Sequence, residues 1–380
     1  MIPPRISALG YKIFRWKEID REFWQWQREL DLPRYIDPIN AAECREEFER
    51  SLRTPNATSP VFRYRQPEFD PRQEISRCRE FQDRISRSIP LRTLAESYTK
   101  VLGQVQSLLQ IIRERAADRP VAEALTQIHG CPPPSLLDRA KEILLTPVHS
   151  HEQQRTLSCT DLAAEFEKSI EDLGLDWTIR IEPHMSANMA TDALKREIKI
   201  RKGANFSKEE AARLKAHEIG VHVLRAENGS RQPFRIFEFG FADYLSAEEG
   251  LAAYAEEKTG HLSSWRLGVY AARALASHLT TESSFSEVFH AISSYLPFEE
   301  AYAITERVKR GLIDTSQPGG YTKDRCYLGG LQRIENLPHR ETISLLFCGK
   351  IGFSELDMVR EMEITQQIQP PAALPDWCES

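Results

Sequence analysis

His217-Glu218-Ile219-Gly220-Val221-His222 places two imidazoles around a carboxylate inside a stretch that reads as helix. Neutral imidazole is the usual ligand of catalytic zinc, and a glutamate beside the first histidine is placed to take a proton from metal-activated water. In the common H-E-x-x-H arrangement the histidines stand at i and i+4, about 40° apart around the helix. Here the second stands at i+5, about 140° round a regular helix, too far for both rings to meet on one ion. A π-type widening between Ala216 and His222 absorbs the additional residue, and Gly220 lets the backbone yield there. Just upstream, Ser207-Lys208-Glu209-Glu210 is a capping box that starts the helix at Lys208. Leu214, Ile219, Val221, Val223 and Leu224 surround the histidines with apolar residues, as a helix buried on most sides requires. Two buried imidazoles need partners, and a metal satisfies both.

A catalytic zinc site takes a third protein ligand from a separate element. Ser246-Ala247-Glu248-Glu249-Gly250-Leu251-Ala252-Ala253-Tyr254 begins a second helical run downstream. Neighbouring helical side chains point about 100° apart, so one of Glu248 and Glu249 can face a metal while the other stays solvated or pairs with a base. H-E-I-G-x-H and E-E-G-L-A, with Arg231-Gln232-Pro233 between them, resemble the bacterial proteins named for a QEGLA motif and the animal microtubule-associated tyrosine carboxypeptidases. The resemblance implies a zincin-like metallopeptidase in which His217, His222 and Glu249 bind Zn2+ and Glu218 is the general base. Glu248 stands where the bacterial name has Gln, which leaves the ligand position intact and adds a negative charge at the rim. The resemblance runs from about Asp37 to about Met362, through Asn56–Arg65, Tyr321–Gly330 and Leu346–Lys350.

Composition sets wider bounds. A chain of 380 residues buries a substantial core, and a net charge of −6 argues against nucleic-acid binding. Seven cysteines without a C-x-x-C pair fit reduced thiols in a cytoplasmic protein. No uncharged stretch approaches the ~18 residues of a membrane span. Residues 1–85, rich in Arg, Glu, Trp and Pro, read as an extension packed on a catalytic unit over 86–366, with a tail over 367–380. Trp16, Trp24 and Trp26 read as packing anchors.

Apolar periodicity predicts helices over 90–117, 136–144, 160–173, 262–279, 283–293, 298–311 and 338–348. Alternation predicts strands at 177–182 and 197–201 with a turn around 186–191. The fold class is therefore α+β, mainly helical, with a small sheet over the metal helix whose edge strand can pair with an extended substrate. His149-Ser150-His151-Glu152 reads as a surface loop, and Gly319-Gly320 and Gly329-Gly330 read as turns.

Lys323, Arg325 and Tyr327 lie between those glycine pairs. Taken alone they read as a solvated basic loop, whereas the resemblance directs them to substrate. A carboxypeptidase must neutralise a free terminal carboxylate, for which Lys323, Arg325 and then Arg231 are the candidates. Tyr327 or Tyr321 is the expected donor to the oxyanion, with His290 behind them. The reading is a zinc carboxypeptidase acting on a peptide or protein C-terminus, with an aromatic last residue implied by the resemblance. Another zinc amidase or endopeptidase, and a regulatory protein that keeps the zinc fold without catalysis, are the alternatives.

Overall fold

The structure is a computed structural model that describes residues 8–53, 58–89, 91–115, 118–146, 154–183, 185, 187–338 and 340–379. The histidine-containing loop at 149–152 lies outside them. Among the described residues helices come first: α1 (Ala8–Leu30), α2 (Ala41–Ser51), α3 (Pro71–Ser88), α4 (Arg92–Glu114), α5 (Asp118–His129) and α6 (Pro134–Leu145). A short mixed layer follows, with β1 (Leu157–Ser158), α7 (Cys159–Asp172), β2 (Thr178–Glu182), β3 (Met189–Asp192), β4 (Glu197–Arg201) and β5 (Asn205–Phe206). Then α8 (Lys208–Leu214) runs without interruption into a π-helix at Lys215–Val223 and on into α9 (Leu224–Ser230). The chain continues through α10 (Ile236–Phe239), α11 (Tyr244–Lys258), α12 (Ser264–Leu279), α13 (Phe285–Ser293) and α14 (Phe298–Lys309). It closes with α15 (Cys326–Glu335), α16 (Arg340–Leu345), α17 (Leu356–Ile364) and α18 (Asp376–Glu379). The result is a mainly helical α+β fold.

Local chemistry accounts for the starts of the elements that matter. Ser207 accepts from the Glu210 N–H while Glu210 caps the Ser207 N–H, so α8 begins at Lys208. The widened turn then proceeds by i→i+5 bonding, seen where the Leu224 N–H reaches the Ile219 carbonyl. Packing holds it from two sides. Val221 and Leu224 enter one hydrophobic cluster with α1, α3, α4 and α11, whereas Ile219 and Val223 enter another with α7 and the sheet. Each such fully buried aliphatic side chain contributes about 1.5–3 kcal/mol.

The three-stranded sheet has the order β2-β4-β3, with β2 parallel and β3 antiparallel to β4. Ile198 and Ile200 of β4 face the core. The turn expected around 186–191 is therefore shorter than the sequence suggests, because Met189–Asp192 pairs with β4 as an edge strand. This places Thr191 against the π-helix.

Trp16 and Trp26 pack as expected, whereas one of the two expected glycine turns is helix. Trp16, Ile19, Phe23, Trp26 and Leu30 form one helical stripe of α1, inside the cluster that also holds α4 and α11. Gly329-Gly330 is not a turn but the middle of α15. A Cβ on Gly330 would meet the Ser246 carbonyl oxygen at 2.0 Å and the Gly250 Cα at 2.7 Å, so both glycines serve close approach of α11 and α15. Gly319 and Gly320, with φ of 101° and 156°, lie in irregular backbone just before the 3-10 turn at Thr322–Arg325, where the Gly319 N–H bonds to the Thr280 carbonyl.

Candidate metal centre and active site

The π-helix turns both imidazoles to one side, with ring centroids 4.8 Å apart and nearly perpendicular. Among the described residues, His217, Glu218 and His222 each offer a ligand atom within 4.8 Å of the others, and all three are buried. From α11, Glu249 Oε2 lies 3.7 Å from His217 Nε2 and 3.9 Å from His222 Nε2. Zinc bonds of about 2.0–2.1 Å in a tetrahedral arrangement separate ligand atoms by about 3.4 Å, close to this spacing. Among the described residues Glu249 Oε2 is buried without a hydrogen-bond partner, a costly state for a carboxylate oxygen unless a cation engages it. Glu218 Oε2, by contrast, accepts from the Thr191 hydroxyl at 2.7 Å. Of the two carboxylates, Glu249 therefore fits a metal ligand and Glu218 a base held beside it.

The far nitrogen of each imidazole is oriented by its own carboxylate. His217 Nδ1 lies 2.9 Å from Glu256 Oε1, and His222 Nδ1 lies 3.0 Å from Glu248 Oε1. Such pairs fix the ring so that Nε2 faces the centre, the arrangement usual behind metal-bound histidines. Glu256 is fully buried, accepts from Arg213 at 2.7 Å, and takes the Tyr270 hydroxyl at 3.0 Å. Burial works to raise its carboxyl, but Arg213 and His217 outweigh that and hold it down at about 2. Burial works against charge on His217 too, yet Glu249 and Glu256 hold that imidazole well above its ordinary value, so the pocket favours a cation.

Glu248 is not at a rim. It is buried between His222, Arg225 and Lys350, whose Nζ stands 3.3 Å away. The Arg225 guanidinium is fully buried; its Nε donates to the carbonyls of Leu346 and Gly349, and its Nη2 to that of Ile351. The Leu346–Lys350 segment thus clamps the carboxylate that orients His222. Burial works to raise the Glu248 carboxyl, and Lys350 with Arg225 holds it well below the usual range instead.

The remaining sequence candidates divide. Lys323, in a short 3-10 turn before α15, places Nζ 3.7 Å from Glu249 Oε1. The Tyr327 ring stacks on Tyr270 at 5.1 Å, close enough to Glu249 for that charge to help burial keep the phenol protonated. Arg325 instead donates Nε to the His129 carbonyl at 2.5 Å, and Tyr321 packs edge-on against His129. Arg231 is half-exposed beside Glu227, and His290 is exposed on α13. The structure brings the first pair to the cluster and leaves the other four away from it.

Sequence reasoning missed Glu256, Arg213, Arg225, Lys350 and Thr191. Glu256 had a legible signal, two helical turns beyond Glu249 on the same face. Arg225 and Lys350 carry none, because their partners come from distant segments.

Fold and site together define a helix-rich α+β protein whose buried two-histidine, two-glutamate cluster sits on a π-helix and the helix packed against it. The chain belongs to the microtubule-associated tyrosine carboxypeptidase family, whose family model matches residues 46–380. It is 34% identical over 172 residues to mouse microtubule-associated tyrosine carboxypeptidase 1, covering 42% of this chain and 35% of the mouse protein. The human protein of that name is 32% identical over the same coverage. The human putative tyrosine carboxypeptidase MATCAP2 is 31% identical, covering 42% of this chain and 32% of its own. The matched part thus spans about a third of these curated relatives. No helix among the described residues is long and apolar enough to cross a membrane.

Proposed function

We propose that the protein is a zinc-dependent carboxypeptidase of zincin-like type that removes a C-terminal residue, tyrosine or another aromatic, from a peptide or protein. The observation that carries this is the convergence of His217 Nε2, His222 Nε2 and the unpartnered Glu249 Oε2 next to Glu218. The names of the family and of its relatives supply the bond type.

His217, His222 and Glu249 would hold the zinc. When bound, zinc supplies Lewis acidity, lowering the pKa of a coordinated water and polarising the scissile carbonyl. Glu218 takes the proton of the attacking water and returns it to the leaving amine. Thr191 holds one oxygen of Glu218 and leaves the other for that proton. Edge strand β3, which carries Thr191, has its outer side free of sheet partners among the described residues and suits an extended peptide backbone. Tyr327 is a hydrogen-bond donor for the carbonyl oxygen as charge develops there. Lys323, beside Glu249, adds positive charge at the same edge of the site.

The test uses a short peptide ending in tyrosine, as free acid and as amide, with products read by mass spectrometry. Loss of one C-terminal residue from the acid, abolished by a chelator and restored by zinc, is the expected result. Internal cuts, or equal cutting of the amide, would replace a carboxypeptidase with an endopeptidase or amidase.

A further inference from the structure

Beside Tyr327 stands a group of charges that the steps above do not use. Arg273 on α12, Arg307 on α14 and Asp324 in the 3-10 turn meet there, with Asp324 only 1% exposed. Arg307 takes both oxygens of Asp324 in a fork, Nε to Oδ2 at 2.5 Å and Nη2 to Oδ1 at 2.8 Å. That geometry satisfies the carboxylate. Arg273 approaches the same carboxylate no closer than 3.8 Å, outside hydrogen-bond range, and its buried Nε has no hydrogen-bond partner among the described residues.

Its guanidinium instead lies over the Tyr327 ring, 4.6 Å from the centroid. Tyr327 is stacked on Tyr270, whose hydroxyl reaches Glu256 behind His217. Arg273 is thus joined by side-chain contacts to the carboxylate that orients His217. The asymmetry of the two arginines is also electrostatic: burial and Arg307 push Arg273 below its ordinary value, whereas Asp324 overcomes burial and raises Arg307.

A count of charge makes the same point. Arg273, Arg307 and Lys323 face Asp324 and Glu249, and Glu249 is assigned to zinc. The surplus is positive, and it sits on a side chain 13% exposed. A nearly buried guanidinium whose nearest carboxylate, Asp324, is already matched by Arg307 has room for a hydrogen-bonded anion of its own. The planar fork of arginine matches a carboxylate, and its stacked position already fixes the orientation.

We propose that Arg273 binds the free α-carboxylate of the substrate's last residue, with Arg307 and Asp324 positioning it and Tyr327 as the face it rests on. This rests on the carboxypeptidase reading and moves the carboxylate anchor from Lys323 or Arg325 to Arg273. It makes Arg273 the residue that separates terminal trimming from internal cleavage.

The experiment measures binding, so that loss of chemistry does not confuse it. In a Glu218→Gln background loaded with zinc, a tyrosine-ending peptide and its C-terminal amide are titrated by calorimetry. The protein with Arg273 intact is expected to prefer the acid. Arg273→Gln should weaken the acid by roughly thirtyfold or more and leave the amide unchanged, so that the preference collapses. Arg273→Lys keeps charge but loses the fork, and should retain part of the preference. Thermal melts check that each variant folds; should Arg273→Gln fail to fold, Arg273→Lys decides alone. An acid preference undiminished in a folded variant overturns the role of Arg273, as does an equal loss for acid and amide. Absence of any acid preference with Arg273 intact overturns the carboxypeptidase reading itself, and this proposal with it.

Discussion

Glu248 and Glu249 are consecutive, yet they engage opposite nitrogens of one imidazole: Glu248 Oε1 lies 3.0 Å from His222 Nδ1, and Glu249 Oε2 lies 3.9 Å from His222 Nε2. One carboxylate orients the ring, and the other stands where a metal would complete the set. Removing Glu248 leaves Arg225 and Lys350 as buried charges without their anion. Glu248→Ala should therefore lower stability by about 3–5 kcal/mol, read from denaturant melts. Glu248→Gln keeps an acceptor for His222 and should cost less, while weakening zinc by about 10–100-fold. Equal melting of wild type and Glu248→Ala would contradict this account of the buried pair.

Zinc content tests the ligand assignment directly. The purified protein is expected to carry about one zinc per chain by elemental analysis, and His217→Ala, His222→Ala and Glu249→Ala should each lose it. Full occupancy in Glu249→Ala would show that its unpartnered oxygen is not what binds the ion.

Much of this was legible before any coordinates. The i+5 spacing of His217 and His222 demanded the π-helix at Lys215–Val223, because no regular helix brings both rings together. Ser207 and Glu210 marked the helix start. What escaped is what depends on partners far along the chain. Gly329-Gly330 reads as a turn locally, and only packing against Gly250 makes it helix. Arg225 looks like a surface residue until the carbonyls of Leu346, Gly349 and Ile351 are folded around it. Trp16 and Trp26, read as packing anchors, are buried, and with Ile19, Phe23 and Leu30 they make the apolar stripe of α1.

Glu218→Gln should keep zinc and lose turnover by about 10²–10⁴-fold, since the amide preserves shape but not basicity. Thr191→Val removes only the hydroxyl that holds Glu218 Oε2 and should lower kcat by a smaller factor with KM little changed. A Thr191→Val enzyme as slow as Glu218→Gln would give the threonine a direct part in the chemistry.

Acid dependence of stability should report on Asp20, which fastens α1 to the core. Its carboxylate is 3% exposed, accepts from the Tyr98 hydroxyl at 2.5 Å and from the Arg235 N–H at 2.9 Å. Burial pushes it up to about 6, against those hydrogen bonds. The folded value exceeds the unfolded one of about 3.9, so the folded chain binds this proton more tightly. The contribution is full below about pH 4 and is lost as pH rises through about 6, an effect on the order of 3 kcal/mol. Asp20→Asn should remove that pH-dependent component from urea melts between pH 4 and 7. Parallel stability profiles for the two proteins would place the carboxyl near its ordinary value.

The close approach of Gly250 and Gly330 ties helix packing to the site. Gly250 follows Glu249 directly, and the Ser246 carbonyl, one turn earlier, is what a methyl group on Gly330 would strike at 2.0 Å. That contact is with backbone, so α11 and α15 must separate, at about 1–3 kcal/mol or more. The shift carries Glu249 away from His217 and His222, and carries Lys323 and Tyr327 with α15. Gly330→Ala should thus lower both the melting temperature and the affinity for zinc. Gly103 serves as control: it lies on α4 with nothing within 4 Å of an added Cβ, and Gly103→Ala should stabilise by about 0.5–1 kcal/mol and leave zinc unchanged. A Gly330→Ala protein with wild-type melting and full zinc affinity would mean that α15 can move without moving Glu249, and the link between that seam and the site would fail.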